Sequence, residues 1–171
     1  MTPTSAGLLA MTLSFVVMAA AAVWYVAPWL KVADWATGLT VLLWVHAFRY
    51  VALQIFSAQL AGFAVSDAGR NQIAWGDVFA ALLAISAIVA LRHRLRLAVP
   101  ILWLFVAGAA LDLANSTIVG MREQLFASAS GVTWLILTFY VPLLWVSLAL
   151  LVWRLWLRAS ALRAPQLRDP S

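Results

Sequence analysis

Five long apolar stretches, separated by short polar connections, constrain the fold of this chain more than any other feature. They cover about residues 6–26, 35–62, 73–91, 97–119 and 132–157. A membrane-spanning helix needs about 20 mainly apolar residues, and its backbone polar groups are bonded within the helix itself. Because 65% of the residues are hydrophobic and only 10% are charged, a water-soluble domain of this size could not bury the apolar surface. The sequence therefore predicts an all-α polytopic membrane protein, with five transmembrane helices forming one domain over residues 1–157.

The lysine and arginine side chains are distributed unevenly among the ends of these spans. With the N-terminus outside the cell, only Arg70 and Arg122 lie on the outer side. The inner side then carries Lys31, Arg92, Arg94, Arg96, Arg154, Arg158, Arg163 and Arg168. Cytoplasmic connections of membrane proteins are enriched in lysine and arginine. The pattern predicts an outside N-terminus, a cytoplasmic C-terminus and a location in the bacterial inner membrane, with a basic, disordered cytoplasmic tail at residues 158–171.

The formal charge of +5 has the same explanation. No basic face is interleaved with aromatic residues that could stack on bases, so we expect no nucleic-acid partner and take the lipid bilayer as the first partner. Most of the ten tryptophans lie near the ends of spans, where indole rings anchor helices at the membrane interface.

Turn-forming residues mark the connections between the spans. Pro28 and residues 31–34 are expected to end the first span, and the polar segment 65–71 is expected to be a loop. The long connection from Gly120 to Gly131 has room for a short helix. Pro142 lies within the fifth span and should kink it.

The second span carries polar side chains in the middle of its apolar sequence. At about 100° per residue on an α-helix, His46, Arg49, Tyr50, Gln54 and Ser57 share one face. Ionisable residues at membrane depth are costly and almost always face the interior of a bundle. We therefore expect this face to point towards the other helices.

The fourth span provides a polar face of its own. Asp112, Asn115 and Ser116 are spaced three and four residues apart, which places them on one side of a helix. The depths of Arg49 and Asp112 allow the two to pair across the helices. Asp77 is expected near the outer end of the third span and outside this pair.

Together these residues predict a polar cavity between the second, fourth and fifth helices. Tyr140 and the kink at Pro142 add the contribution of the fifth span, and Gly108 leaves space. Arg49 would hold an oxygen of the ligand, and Trp44, Phe48 and Phe105 would enclose its apolar body. The candidate ligand-binding residues are His46, Arg49, Tyr50, Gln54, Asp112, Asn115 and Tyr140. In the alternative interpretation, the charged pair only fixes the register of the helices.

His46 has three alternative roles: a proton carrier, an axial haem ligand or a hydrogen-bonded core residue. It is the only histidine within a span, since His93 lies in the basic connection. The sequence therefore does not favour haem ligated by two histidines, and we expect no metal site; the identity of any cofactor stays open. The absence of cysteine excludes disulfides and thiolate chemistry.

Three functions are compatible with this pattern. The first is the binding or transport of a small lipophilic or anionic ligand. The second is a non-catalytic role as a subunit of a larger membrane complex or of a homo-oligomer. The third is an enzyme acting on a lipid-soluble substrate, which no nucleophile or metal-binding motif supports.

Overall fold

The structure of this chain is a computed structural model that describes the backbone of residues 1–163 and the side chains of residues 1–157. Five helices are long and apolar enough to cross a membrane, as the sequence predicts. Their bounds are Pro3–Val32 (α1), Trp35–Leu60 (α2), Asp67–Arg92 (α3), Ala98–Arg122 (α4) and Gly131–Leu157 (α5). A short 3₁₀ turn at Leu125–Ala127 lies between α4 and α5, and no strand occurs among residues 1–163.

Two predicted connections are shorter than expected, because helices extend into them. The first helix continues through Pro28 to Val32 instead of ending near Val26. The third begins at Asp67, within the segment expected to be a loop. Ser66 caps this helix, with its Oγ accepting a hydrogen bond from the Gly69 amide at 3.0 Å. Such a cap satisfies an amide that has no partner inside the helix, so the polar sequence starts a helix here.

Pro28 and Pro142, which lie beyond the first turn of their spans, each follow a π-helical segment. Residues Ala22–Val26 are π-helical shortly before Pro28, and Ile136–Tyr140 are π-helical shortly before Pro142. A proline ring clashes with the carbonyl group one turn earlier, and a wider π turn changes the local backbone path. The helix therefore accommodates each proline by a change in its winding and is not interrupted.

The middle of α2 is wound more tightly than an α-helix. Residues Phe48–Gln54 form a 3₁₀ helix between two α-helical parts. A 3₁₀ helix has about three residues per turn, compared with about 3.6 in an α-helix. The buried residues here follow that spacing: Arg49, Ala52 and Ile55 are three residues apart. This change of winding decides which polar side chains of α2 face the interior.

Helix α3 lies between α2 and α4 and packs against both. Its inner face is made of alanines, including the expected Ala80, Ala84 and Ala87, which are all buried. Small side chains let neighbouring backbones approach closely. Helix α5 packs against α2 and α4, and α1 packs mainly on α5 and on the turn at Leu125–Ala127.

The two connections at the end of the bundle that holds the N-terminus are joined to each other. Glu123, which follows α4, accepts a hydrogen bond from the Ser66 amide at 2.8 Å. At the opposite end, the backbone of α5 remains helical to Arg163, beyond the predicted end of the span at Leu157. The rest of the predicted disordered tail, residues 164–171, lies outside the described residues.

Candidate functional site

Arg49 is fully buried and binds two carboxylates from two different helices. Its Nε donates to Asp77 Oδ1 on α3 at 2.6 Å, and its Nη2 donates to Asp112 Oδ2 on α4. The expected pairing of Arg49 with Asp112 is therefore present. The expectation that Asp77 lies outside the pair is wrong, because α3 passes directly between α2 and α4. The site is an acidic–basic triad that holds three helices together.

The close approach of α3 and α4 depends on Gly76. A Cβ atom built at this position would collide with the carboxylate of Asp112. The glycine therefore leaves the space in which the Asp112 side chain passes α3 on its way to Arg49. It lies one residue before Asp77, so a short segment of α3 provides both a carboxylate and this space.

The guanidinium group retains one nitrogen without a partner. Arg49 Nη1 is buried and makes no hydrogen bond with any described residue. Because a buried donor without an acceptor costs free energy, such groups are normally paired with protein, water or a ligand. On α4, Ser116 Oγ is a second buried polar atom in the same situation.

His46 is fully buried one turn before Arg49 and faces different neighbours. Its Nε2 lies 3.0 Å from Ser147 Oγ on α5, and the edge of its ring meets Phe105, with the ring centres 5.1 Å apart. The same hydroxyl lies 3.1 Å from the Leu144 carbonyl, and the tautomer of His46 determines whether Ser147 donates to Nε2 or accepts from it. His46 Nδ1 is also buried and makes no hydrogen bond among residues 1–157.

Tyr140 bonds α2 three residues before its tightly wound part begins. Its hydroxyl group donates to the Val45 carbonyl at 2.7 Å. Tyr140 is the last residue of the π-helical segment that precedes Pro142. The irregular part of α5 is therefore bonded to the α-helical turn that precedes the 3₁₀ segment of α2.

A cavity of about 550 Å³ lies beside the triad, in the half of the bundle that contains the N-terminus. All five helices contribute to its wall, including Leu8 of α1 and Leu137 of α5. Most of the wall is apolar, and Arg49 and Asp77 provide its only charged side chains among the described residues. The cavity is therefore a largely apolar chamber with one charged region.

The structure distributes the seven candidate residues over several environments. Arg49, Gln54 and Tyr140 line the cavity. Asp112 bonds Arg49 but does not line the cavity. His46 does not line it either, and its Nε2 lies next to Ser147. Asn115 accepts a hydrogen bond from Gln72 of α3 at 2.7 Å and does not line the cavity.

Tyr50 is the candidate whose predicted orientation is wrong. Its side chain is 50% exposed and lies next to Phe48, with the ring centres 6.3 Å apart. The prediction assumed an α-helical turn, whereas the 3₁₀ winding rotates Tyr50 outwards. The aromatic residues expected to enclose a ligand also lie elsewhere, since Trp44 and Phe48 are about half exposed and Phe105 packs on His46.

Sequence reasoning missed Asp77, Ser147 and the contribution of α1 to the cavity wall. Asp77 could have been found, because Asp77 and Asp112 are the only acidic residues within the five apolar spans. Ser147 gives no comparable signal, since single serines are common in membrane helices and bond their own backbone. Among the described residues, no group of three or more histidine, cysteine or acidic side chains could hold a metal ion.

The comparisons with known proteins identify a family without assigning an activity. The family model described as "Domain of unknown function (DUF8737)" matches residues 6–156. No curated protein and no solved structure matches the chain. The matched region includes the triad and nearly the whole length of the five apolar helices. Because this match covers most of the chain, the protein belongs to the DUF8737 family.

Proposed function

We propose that this chain is a small integral membrane protein that binds one lipophilic ligand in the cavity beside Arg49. The observation that carries the proposal is the chamber of about 550 Å³ with a fully buried guanidinium group on its largely apolar wall. Ligand sites are usually concave and mainly apolar, with a few polar groups that orient the ligand, and have volumes of about 300–1,000 Å³. The cavity has these properties.

The hydrogen bonding of the triad also supports a site over simple helix attachment. If Arg49 served only to fix the helix register, we would expect each of its nitrogens to be paired within the protein. Arg49 Nη1 and Ser116 Oγ have no partner among the described side chains, and both residues line the chamber. A bound molecule could satisfy both atoms.

The proposal is tested by filling the cavity without disturbing the triad. Gly120 of α4 lines the chamber, and a Cβ atom there would make only an ordinary contact, 3.7 Å from Leu125 Cδ1. Gly120→Leu should therefore place a side chain in the ligand volume. Ala114→Leu is the matched control, because Ala114 is exposed on the same helix and does not line the cavity.

The readout is the lipid-soluble material that accompanies each purified protein, measured by solvent extraction and mass spectrometry. We expect one compound to be enriched over the surrounding lipid in the wild-type protein and in Ala114→Leu, and to fall by about tenfold or more in Gly120→Leu. Identical extracts from all three proteins, with no enriched compound, would contradict the proposal.

For the orientation we propose an outside N-terminus and a cytoplasmic C-terminus in the inner membrane of a bacterium. The support is the distribution of lysine and arginine, because eight of these residues lie at one side and only Arg70 and Arg122 at the other. A reporter fused to the C-terminus should be active only in the cytoplasm. Activity of a reporter that requires export would reverse the orientation and place the chamber in the cytoplasmic half of the membrane.

A further inference from the structure

The charges around the cavity restrict the chemical class of the ligand. We propose that the ligand presents an uncharged hydrogen-bond acceptor, such as the carbonyl group of a ketone, a quinone or an ester, to Nη1 of Arg49. This inference rests on the proposed function, because it describes the molecule that the cavity would hold. It follows from the hydrogen-bonding capacity and the charge of the residues at the polar region of the wall.

The hydrogen-bonding capacity requires an acceptor. A guanidinium group has five N–H donors and no acceptor. Asp77 accepts a hydrogen bond from Arg49 Nε, and Asp112 accepts one from Nη2. Nη1 has no partner in the described part of the chain. A ligand that completes the bonding of Nη1 must therefore provide a lone pair. An alkylammonium group has only donors and cannot do so.

The charge disfavours an anion. The single positive charge of Arg49 already faces the two carboxyl groups of Asp77 and Asp112. Asp77 lies on the cavity wall, so an anionic head group at Nη1 would be close to a carboxyl group as well as to the guanidinium. A further negative charge in a poorly solvated site has no cation of its own to offset the loss of its hydration. A neutral carbonyl oxygen avoids this cost and still accepts the hydrogen bond.

Ser116 indicates where a second polar group of the ligand would lie. It follows Asp112 by four residues, which places the two side chains on one face of α4 about one turn, or about 5 Å, apart. Its Oγ is buried without a partner, and the residue lines the cavity. A second polar group of the ligand, such as a hydroxyl or a carbonyl, would therefore bond Ser116.

The experiment compares head groups on the same apolar body. The probes are 2-tetradecanone, tetradecanoic acid, tetradecylamine and tetradecane, each titrated calorimetrically into the purified protein in one detergent. We expect 2-tetradecanone to bind about tenfold more tightly than the other three, because it alone is an uncharged acceptor. Tightest binding of the acid, the amine or the alkane, or equal binding of all four, would overturn the inference.

Two variants separate the inference from the proposed function. Gly120→Leu should abolish binding of every probe. Persistent binding in this variant, or a wild-type protein that binds none of the four probes, would count against the cavity itself. Asp77→Asn retains an oxygen for Arg49 Nε and removes the charge from the wall. We expect it to raise the affinity for tetradecanoic acid relative to that for 2-tetradecanone by about tenfold. An unchanged ratio of the two affinities would show that Asp77 does not exclude anions.

Discussion

The backbone of Gly76 lies so close to the carboxylate of Asp112 that a single methyl group cannot fit between them. These two residues belong to neighbouring helices, and the carboxylate that passes Gly76 continues to Arg49 on a third. The position of one glycine therefore determines whether an acidic side chain from α4 can reach the basic side chain of α2. Helix packing and charge pairing are inseparable at this point.

Gly76→Ala should destabilise the protein although alanine is the better helix former. Alanine gains up to about 1 kcal/mol over glycine inside a helix, whereas overpacking costs about 1–3 kcal/mol and here also displaces Asp112. We expect a net loss in the free energy of unfolding of about 1–3 kcal/mol, measured by unfolding in mixed micelles. Gly120→Ala is the control and should be neutral or stabilising, because its Cβ has an ordinary contact. Equal effects of both variants would show that Gly76 is not crowded.

Replacing Arg49 by an uncharged residue should destabilise the protein more than replacing Asp77 by an uncharged residue. Arg49→Met leaves two buried carboxyl groups without their cation and should cost about 3–5 kcal/mol. Asp77→Asn leaves Arg49 paired with Asp112 and retains an acceptor, so it should cost less than about 2 kcal/mol. Unfolding in mixed micelles measures both, and Arg122→Met at an exposed side chain outside the triad is the control, with less than about 1 kcal/mol. A larger loss for Asp77→Asn than for Arg49→Met would be inconsistent with one cation holding two anions.

The energetic coupling within the triad can be measured separately. Arg49→Met and Asp112→Asn form a double-mutant cycle across α2 and α4. Residues in one network of ionic hydrogen bonds show coupling energies of about 0.5–3 kcal/mol. We expect the double variant to lose less stability than the sum of the single losses by an amount in this range. Recovery should be incomplete, because Asp77 remains without its partner; strict additivity would exclude the pairing.

The sequence predicts the five helices because apolar length alone decides whether a segment can span a membrane. It also predicts that Arg49 and Asp112 meet, because buried charges within spans must find each other. It does not predict the side that Tyr50 faces, since this depends on a 3₁₀ segment whose sequence carries no mark of its winding. Each residue of a 3₁₀ helix turns further about the helix axis than a residue of an α-helix does. This difference directs Tyr50 away from the other polar residues of α2.

The cavity is harder to predict for a related reason. Its wall takes residues from all five helices and from the turn after α4, so its shape depends on every helix packing at once. Asp77 shows how this limits an argument based on depth alone. In the sequence, Asp77 lies nearer the start of α3 than its end. Because α3 lies between α2 and α4, Asp77 nevertheless reaches Arg49.

The two tyrosines that the sequence placed together provide a matched pair of substitutions. Tyr140→Phe removes the hydroxyl group that bonds the Val45 carbonyl and should cost about 0.5–1.5 kcal/mol. Tyr50→Phe removes a hydroxyl group from an exposed side chain that makes no such bond among the described residues, and should change stability by less than about 0.5 kcal/mol. Thermal unfolding in detergent measures both variants. Equal losses would place Tyr50 back in the interior.

The cap at the start of α2 should make stability depend on pH in the acid range. Asp34 Oδ2 accepts hydrogen bonds from the amides of Ala36 at 3.0 Å and Thr37 at 3.1 Å. The backbone hydrogen bond from Thr37 is the largest influence on the carboxyl group, and the pKa of Asp34 is lowered from its usual value. A lowered pKa in the folded state means that the charged cap stabilises the protein above the ordinary pKa of about 3.9, and that this contribution is lost as the pH falls through the lower folded value.

The matched variant is Asp34→Asn, because asparagine caps helices about as well as aspartate but does not titrate. We expect wild-type Tm to exceed that of Asp34→Asn at pH 7, since the ionised carboxylate bonds amides more strongly and interacts favourably with the helix N-terminus. Thermal unfolding from pH 7 to about pH 3 should show this difference shrinking below the ordinary pKa of aspartate, about 3.9. A difference that stays constant over the whole range would mean that the charge of Asp34 contributes nothing to the cap, and that the hydrogen bonds alone start α2.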